Sequence, residues 1–264
     1  MISQIYYALK YIRYRLFAKH KKGHGIHSPF VYNLITEVFN QKENNPKLIE
    51  VNKAYNLYAN SDEQIEYTDL GAGSKTSAKK ILSLKKIVKK SAVTKKYGKL
   101  LFFLIHYFKP STILELGTSV GISTAFIASA ATDSEVLTIE ASESKLKKAI
   151  EIAKILKLKN IRFVNGDFDE ILDTVLLKFN KLDFVFFDGN HKKEATLKYF
   201  NACMENAHRD SVFVFDDIHW SEEMEKAWEE IKRNPKVRVS IDIFRMGIIF
   251  FRSELSYQHY VIKF

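Results

Sequence analysis

The sequence predicts an α/β fold in which a mostly parallel sheet is covered by helices on both faces. From residue 110 onward, short apolar β-rich runs alternate with helical runs in five strand–helix units. The strand runs, such as 183–187, are apolar at nearly every position, which is typical of strands buried on both sides. The two closing strand runs, 237–244 and 247–252, are separated by a short turn, so they must be antiparallel.

Each strand–helix unit can be placed on the chain. Strands are expected at 111–117, 135–141, 160–167, 182–189 and 211–217. The helices that follow them are expected at 121–131, 144–157, 169–179, 193–207 and 221–233. The last of these helices leads into the antiparallel pair, and no internal repeat interrupts the series.

The residues before 96 are expected to form a basic helical extension. Apolar residues at helical spacing predict an apolar stripe on a first helix; they are Ile5, Leu9, Ile12 and Leu16. Ser28 and Pro29 are typical of the start of a second helix. A shorter helical stretch follows a linker at 41–47. A later helix is expected to bury Ile81, Leu84, Ile87 and Val88, and another covers 97–108. We therefore divide the chain into an extension at 1–95 and an α/β domain at 96–264. The extension is expected to serve as a substrate lid or an oligomerisation element.

Charge is distributed unevenly along the 264 residues. The formal net charge is +10, with 41 Lys+Arg against 31 Asp+Glu. Residues 1–100 hold 19 basic and 7 acidic residues, or +12, and residues 101–264 hold 22 and 24, or −2. An anionic partner is therefore expected only for the N-terminal region.

Cysteine content and hydropathy narrow the class of protein. The single cysteine, Cys203, excludes a disulfide framework within the chain and is expected to be a buried thiol. No apolar run reaches the ~20 residues of a membrane span. Lys10, Arg13 and Arg15 break the first apolar run, which is unlike a signal peptide. A cytoplasmic location is the expectation that follows.

A glycine-containing loop closes the first strand of the α/β domain. It runs from Glu115 through Gly117 and Ser119 to Gly121. The dinucleotide fingerprint fails, because Ser119 and Ile122 stand where glycines are needed, and the Gly-Lys-Ser/Thr of a phosphate loop is absent. The remaining interpretation is a loop for S-adenosylmethionine (SAM), with Glu115 facing the positive methionine end.

Two further acidic residues follow the next two strands. Glu140 could accept hydrogen bonds from both ribose hydroxyls of a nucleoside. Asp167 could accept from the adenine amine, or cap the helix that follows, and the two roles are compatible. A similar loop at Asp69–Lys75 lacks the preceding apolar strand, and we interpret it as a turn that caps a basic helix.

Acidic residues also end the fourth and fifth strands. Asp188, Asp216 and Asp217 are expected at one edge of the sheet, as oxygen ligands for Mg²⁺. His191 is the expected general base, and His219 is a weaker candidate. The competing interpretation makes these aspartates helix caps. The histidines at 24, 27 and 106 are expected to be structural.

At these residues the chain resembles a known family. Residues 97–252 resemble class I SAM-dependent methyltransferases of the O-methyltransferase branch, related to catechol and caffeoyl-CoA enzymes, in the subgroup with Asp-Gly-x-His after the fourth strand. The resemblance implies a Rossmann-like, seven-stranded sheet of order 3-2-1-4-5-7-6 with the last strand antiparallel.

The resemblance also implies roles for individual residues. The cofactor contacts would be Glu115, Gly117, Ser119, Gly121, Glu140 and Asp167, with Tyr97 and Gly98 bordering the methionine end. The metal ligands would be Asp188, Asp216 and Asp217, although catechol-type enzymes have Asn at the third position. His191, with Lys192 beside it, stands where those enzymes carry a catalytic lysine.

The expected activity is methylation of a hydroxyl on a small molecule or sugar, with SAM as cofactor and Mg²⁺ as a candidate one. One alternative is an RNA methyltransferase whose basic N-terminal region stacks bases on tyrosines; these are Tyr6, Tyr7, Tyr11 and Tyr14. Another is a non-catalytic protein that binds SAM or a membrane surface. A homodimer is compatible with the sequence.

Overall fold

The computed structural model describes residues 2–42, 44–68 and 79–264, with the side chains of residues 2–5 left out. Its contacts divide the chain into two compact units, one of residues up to 40 together with 173–264, and one of residues 41–172. The predicted boundary at residue 95 coincides with neither limit and stays a prediction. The predicted turn at 69–75 lies outside the described residues.

Ten α-helices are described. They are α1 Ile2–Phe17, α2 Pro29–Leu34, α3 Pro46–Ala59, α4 Leu84–Ser91, α5 Lys95–Phe108, α6 Ile122–Ala130, α7 Glu143–Ile155, α8 Phe168–Leu176, α9 Lys193–Met204 and α10 Glu222–Lys232. A π-helical turn, Ile35–Phe39, continues α2. The predicted N-cap at Ser28 is present, because its hydroxyl accepts from the backbone N–H of Val31. No helix in the described ranges is long and apolar enough to cross a bilayer.

Eight strands make up the central sheet, and two more form a small hairpin. The hairpin strands are β1 Gln64–Thr68 and β2 Lys79–Ser83. The sheet strands are β3 Thr112–Leu116, β4 Glu135–Glu140, β5 Ile161–Asn165, β6 Leu182–Phe187, β7 Ala207–Phe215, β8 Val239–Asp242, β9 Gly247–Phe250 and β10 Gln258–Val261.

The strand order within each unit follows the prediction. In the unit of 41–172, β4 pairs in parallel with both β3 and β5, which is the predicted 3-2-1. In the other unit β6, β7, β9 and β8 follow one another, which is the predicted 4-5-7-6, and β9 is antiparallel to both neighbours. The α/β class is confirmed, and the strand count differs by one, because β10 adds in parallel to β8.

The helix predicted to bury Ile81 and Leu84 begins later than expected. Leu84, Ile87 and Val88 are buried on α4, but Ile81 lies in β2 and is 64% exposed. Its partner in the hairpin is Glu66, on a segment that the sequence shows as polar. Pairing with a distant strand overrides the helical spacing here.

The first helix packs through a different face from the one its aliphatic stripe predicts. Tyr14 and Ala18 are buried, and the rings of Tyr7 and Tyr14 lie 5.0 and 5.2 Å from that of Phe244. Leu9, Ile12 and Leu16 remain exposed. The larger apolar area of the aromatic rings determines which face is buried.

Apolar side chains fill the interior around the strands of each unit. On β6 and β7 the residues Phe184, Phe186, Phe213 and Phe215 are at most 1% exposed. Cys203 on α9 is fully buried, which confirms the prediction of a structural thiol. Polar side chains therefore collect where the strands end.

Candidate active site

The loop between β3 and α6 is held tightly against the end of β4. The backbone N–H groups of Gly117 and Thr118 both donate to the carbonyl of Ile139, at 3.1 Å each. Gly117 has φ 112° and Gly121 has φ 83°, values that favour glycine. A Cβ on Gly121 would lie 2.7 Å from the Cα of Ala149, so this glycine also permits the close approach of α7.

Glu140 and Ser119 meet at this loop, as predicted for the cofactor residues. One Glu140 carboxylate oxygen accepts from the backbone N–H of Ser119, at 2.8 Å, and the other from that of Ser142, at 2.8 Å. The Ser119 hydroxyl is buried and has no hydrogen-bond partner within the described part of the chain. Buried polar groups normally have partners, so this hydroxyl and the oriented carboxylate fit a hydroxyl-bearing ligand.

Glu115 is placed deeper than a ligand-facing role would suggest. Its side chain is fully buried, and one oxygen accepts from the hydroxyls of Thr124 (2.5 Å) and Thr138 (2.6 Å). Burial raises the pKa of the Glu115 carboxyl, although the hydroxyl donors oppose that shift. Oε1 has no partner among the described residues. The structure thus gives Glu115 a role in anchoring β3 to β4 and α6, and its predicted contact with the cofactor stays a prediction.

The other predicted cofactor residues also have structural roles. The Asp167 carboxylate accepts from the backbone N–H of Asp169 at 2.9 Å, which is the capping role weighed for it. Gly98, on α5, lies against Phe126, and a Cβ there would lie 2.3 Å from that ring. Tyr97, beside it, is half-buried.

In the other unit, Asp188 and His191 form a pair after β6. His191 Nε2 lies 3.7 Å from Asp188 Oδ1, an ion-pair distance that is longer than a hydrogen bond. Between them Asn190 adopts φ 49° and donates to the hydroxyl of Tyr199 at 3.2 Å. Lys192 is exposed at the N-terminus of α9. The predicted acid–base pair is therefore brought together.

Asp216 and Asp217, after β7, are engaged by an arginine that the sequence did not indicate. Arg245 Nε lies 3.0 and 3.2 Å from the two Asp216 oxygens, and Nη2 donates to Oδ2 at 2.8 Å. Nε is also 3.4 Å from Asp217 Oδ1. Burial and the charge of Asp216 raise the pKa of Asp217 to about 6, against the opposing effects of Arg245 and His191.

Antiparallel pairing delivers Arg245 to this cluster. It lies between β8 and β9, and Gly247 of β9 pairs with Phe215 at the end of β7. The backbone N–H of Ile218 donates to the Arg245 carbonyl at 3.1 Å. The sequence signal for Arg245 is its position in the turn between the two closing strands. That turn lies near the end of β7 when β9 pairs with β7.

This arrangement does not fit a resident Mg²⁺. A guanidinium already holds the carboxylate oxygens of Asp216 that would coordinate the ion. Within residues 2–42, 44–68 and 79–264, no group of three or more His, Cys, Asp or Glu side chains could hold a metal ion. The magnesium assignment remains a prediction that this geometry does not support.

A second histidine pair lies beside the arginine. His219 Nε2 is 2.7 Å from Asp242 Oδ2, and its ring stacks on Phe244 at 5.5 Å between centroids. Its Nδ1 is 3.9 Å from a Glu225 carboxylate oxygen. The sequence indicated His219 but neither acidic partner, because both come from elements later in the chain.

Residues 114–218 match a family described as a methyltransferase domain. A search of curated proteins finds no match. The matched segment runs from β3 to the residues after β7, so it includes the glycine loop and all three predicted metal ligands.

Solved structures share the fold across most of the chain. An O-methyltransferase from Streptomyces achromogenes, TomG, in complex with SAM, has 16% identity and a TM-score of 0.58, with 95% of this chain and 99% of that chain covered. An O-methyltransferase from Bacillus cereus in complex with SAH has 17% identity and a TM-score of 0.56, with coverages of 84% and 97%. The SAH-bound methyltransferase PaMTH1 of Podospora anserina has 16% identity and a TM-score of 0.53, with coverages of 60% and 79%.

Proposed function

Since residues 114–218 carry a methyltransferase domain, we propose that the chain transfers the methyl group of SAM to a hydroxyl oxygen of a small molecule or sugar. The observation that carries the proposal is the loop of Gly117 and Gly121 in that domain, tied to Glu140 through Ser119. When bound, SAM supplies a methyl group on a positively charged sulfur, which is a good leaving group. The similarity of the fold to O-methyltransferases supports oxygen as the acceptor atom.

The cofactor would be held by the residues of the 41–172 unit. Glu140, whose carboxylate is oriented by two backbone N–H groups, would accept from the ribose hydroxyls. The Ser119 hydroxyl offers a further polar contact. Asp167 would accept from the adenine amine with the carboxylate oxygen that does not accept from Asp169.

The proton of the acceptor hydroxyl would go to His191. Asp188, 3.7 Å away, orients the imidazole and stabilises its protonated form. Deprotonation of the hydroxyl needs no metal ion in this scheme. Lys192 is the alternative candidate for the base. Methyl transfer itself requires mainly in-line alignment of the oxygen and the methyl group.

Cofactor binding can be measured by titration calorimetry with SAM and SAH. We expect Glu140→Ala to weaken binding about 10- to 100-fold, because charge-assisted hydrogen bonds contribute ~1.5–3 kcal/mol. Glu135→Ala is the matched control, because Glu135 is exposed at the other end of β4. Absence of SAM binding by the unmodified chain would contradict the proposal.

Turnover can be measured with methyl-labelled SAM and a panel of phenols, aliphatic alcohols and sugars. We expect His191→Asn to keep SAM affinity and to lose ~10²–10⁴-fold in turnover, the usual contribution of a general base. Full activity of this variant would remove His191 from its role. Methyl incorporation at nitrogen or carbon, or into RNA, would remove the assignment to hydroxyls.

The structure gives little support to the RNA alternative. Of the four N-terminal tyrosines, Tyr7 and Tyr14 pack on Phe244, and the hydroxyl of Tyr6 donates to Glu225. Tyr11 is 44% exposed. The aromatic surface that base stacking requires is thus largely used within the chain.

A further inference from the structure

The acidic cluster after β6 and β7 carries its own fixed cation. Asp216 is 1% exposed, and both of its oxygens lie within 3.2 Å of the Arg245 guanidinium. Asp217 and Asp188 add two more carboxylates whose charges act on Arg245. A divalent ion would need the same lone pairs and would lie beside a buried positive charge, so the two cations exclude each other.

Arginine suits this position better than a mobile cation would. Its guanidinium is planar and always charged, and its fork matches a carboxylate with two parallel hydrogen bonds. The backbone around Arg245 is tied on both sides, since its N–H donates to the Ile243 carbonyl (3.1 Å) and its carbonyl accepts from Ile218 (3.1 Å). The charge is therefore built into the fold.

We propose that Arg245 replaces the divalent cation of this cluster, so that the chain needs no metal. Arg245 is a positioning residue in this scheme: it neutralises Asp216 and holds Asp217, leaving Asp188 to pair with His191. This inference rests on the proposed methyltransferase function only for its effect on turnover. Its metal-binding part concerns the cluster alone.

Manganese binding tests the inference without any activity assay. We expect the unmodified chain to leave the electron paramagnetic resonance signal of free Mn²⁺ unchanged. Arg245→Met removes the charge and should bind Mn²⁺ at least about 10-fold more tightly, since the Asp216 and Asp217 carboxylates then lose the guanidinium that holds them. Arg209→Met, which breaks the exposed pair with Glu254, is the control and should leave Mn²⁺ free.

Two results would overturn the inference: stoichiometric Mn²⁺ binding by the unmodified chain, or loss of turnover on treatment with EDTA that Mg²⁺ restores. Should Arg245→Met fail to fold, Arg245→Lys keeps the charge and should still exclude Mn²⁺; binding by that variant would count against the inference. Absence of turnover with and without metal would contradict the proposed function alone.

A separate observation concerns the outer face of α1. Four large apolar side chains there are 55–73% exposed; they are Leu9, Ile12, Leu16 and Phe17. Their spacing places them on one side of the helix, opposite Tyr7, Tyr14 and Ala18. A row of this size on a helix marks an interaction surface.

The helix is fixed to its own unit through the opposite face. The Tyr14 hydroxyl donates to the Ile262 carbonyl at 2.6 Å and accepts from the Phe264 N–H at 2.8 Å. Lys10 pairs with Glu225 at 2.7 Å. The exposed row is therefore not needed to hold α1 in place.

The basic residues near this apolar row indicate what kind of partner it contacts. Exposed Arg13 lies within the row, exposed Arg15 and Lys19 lie near it, and the first acidic residue of the chain is Glu37. A second copy of α1 across a two-fold axis would bring like charges together. A nucleic acid would satisfy the charges but would not bury the aliphatic row. An anionic lipid surface matches both features.

We propose that α1 lies on anionic membranes with Leu9, Ile12, Leu16 and Phe17 in the interface. The test is sedimentation with phosphatidylcholine vesicles containing about 30% phosphatidylserine, an anionic surface. Binding should exceed that to pure phosphatidylcholine by at least about 10-fold and weaken with salt. Leu16→Gln should reduce this binding about 10-fold or more. The control Leu177→Gln, at a residue that follows α8 and is 86% exposed, should not.

Absence of sedimentation with the anionic vesicles at low salt would overturn this second proposal, as would unchanged binding by Leu16→Gln. A concentration-dependent dimer in analytical ultracentrifugation that Leu16→Gln abolishes would assign the face to a second copy instead.

Discussion

Three non-glycine residues of the candidate functional loops have left-handed backbones. Ser119, Asn190 and Asp217 have φ of 48°, 49° and 54°, and each lies in a loop after a strand. Such conformations cost about 1–3 kcal/mol and persist only where the surroundings enforce them. At Ser119 the constraint is the hydrogen bond from its N–H to Glu140. Other described non-glycine residues share this conformation, among them Lys109 and Lys157, so it is not confined to these loops.

Gly121 allows a test of this tight packing. We expect Gly121→Ala to lower the free energy of unfolding by about 2–4 kcal/mol, because it combines a positive φ with a Cβ only 2.7 Å from the Cα of Ala149. Gly25→Ala is the control, since Gly25 has φ 75° but its nearest contact would be 3.4 Å away. Urea denaturation followed by circular dichroism measures both, and equal losses would contradict the packing argument.

Tyr14 gives the protein a specific response to alkaline pH. Burial raises the pKa of its phenol from 10.0 to about 12, against the hydrogen bond from Phe264. The native state therefore keeps this proton longer than the unfolded state. The stabilising contribution is complete below pH 10 and is lost as pH rises through about 12.

The comparison that isolates this contribution uses Tyr14→Phe. The unmodified chain should lose more unfolding free energy between about pH 9 and 11 than the variant does. Parallel pH profiles for the chain and Tyr14→Phe would show that Tyr14 titrates normally.

At the scale of elements, two helices begin after a residue type that commonly caps helices, but only one of these residues makes a side-chain cap hydrogen bond. The Ser221 hydroxyl accepts from the Met224 N–H at 3.2 Å and begins α10, whose first turn carries Glu222, Glu223 and Glu225. Thr94 occupies the same position before α5 without a side-chain cap. Burial of the α5 side chains, rather than capping, stabilises that helix.

This contrast predicts different costs for the same kind of truncation. Ser221→Ala should lower the free energy of unfolding by about 1 kcal/mol, the usual worth of an N-cap. Thr94→Ala should cost less than about 0.5 kcal/mol, because no cap hydrogen bond is lost. Thermal unfolding by calorimetry can measure both, and a larger loss for Thr94→Ala would refute the argument.

At the scale of the whole molecule, the contacts of the N-terminal residues group them with the C-terminal segment of the chain. Residues up to 40 form one compact unit with 173–264, and the segment between them forms the other. Lys19 bridges to Ile262, and Phe39 packs on Phe264. The residues of the predicted extension thus contribute to both contact units, and the extension at 1–95 stays a prediction.

Native-state hydrogen exchange can test this division. With rising denaturant, amides of 29–39 should lose protection together with those of 258–262, because contiguous packing makes a cooperative unit. Amides of 46–59 should instead follow those of 122–130. Protection of 29–39 that follows 46–59 would contradict the assignment.

Most of the fold could be predicted from the chain because its signals are local. The α/β class and the order of elements follow from the apolar strand runs, the helical spacing and the short turn between the closing strands. Residues such as Gly117 and Glu140 can be assigned to strand ends from the sequence alone. Strand β10 was missed because its alternation of half-buried and exposed residues is that of a short edge strand.

Tertiary structure alone decided which groups meet. The sequence determined that acidic residues follow β6 and β7, but the cation among them, Arg245, arrives from a turn 28 residues beyond Asp217, through antiparallel pairing. Likewise the spacing of Leu9, Ile12 and Leu16 determined a helix, whereas contact with Phe244 decided that its tyrosines are buried. Local patterns carry no information on such long-range partners, because the buried area and the ion pairs depend on contacts between segments that are distant in the sequence.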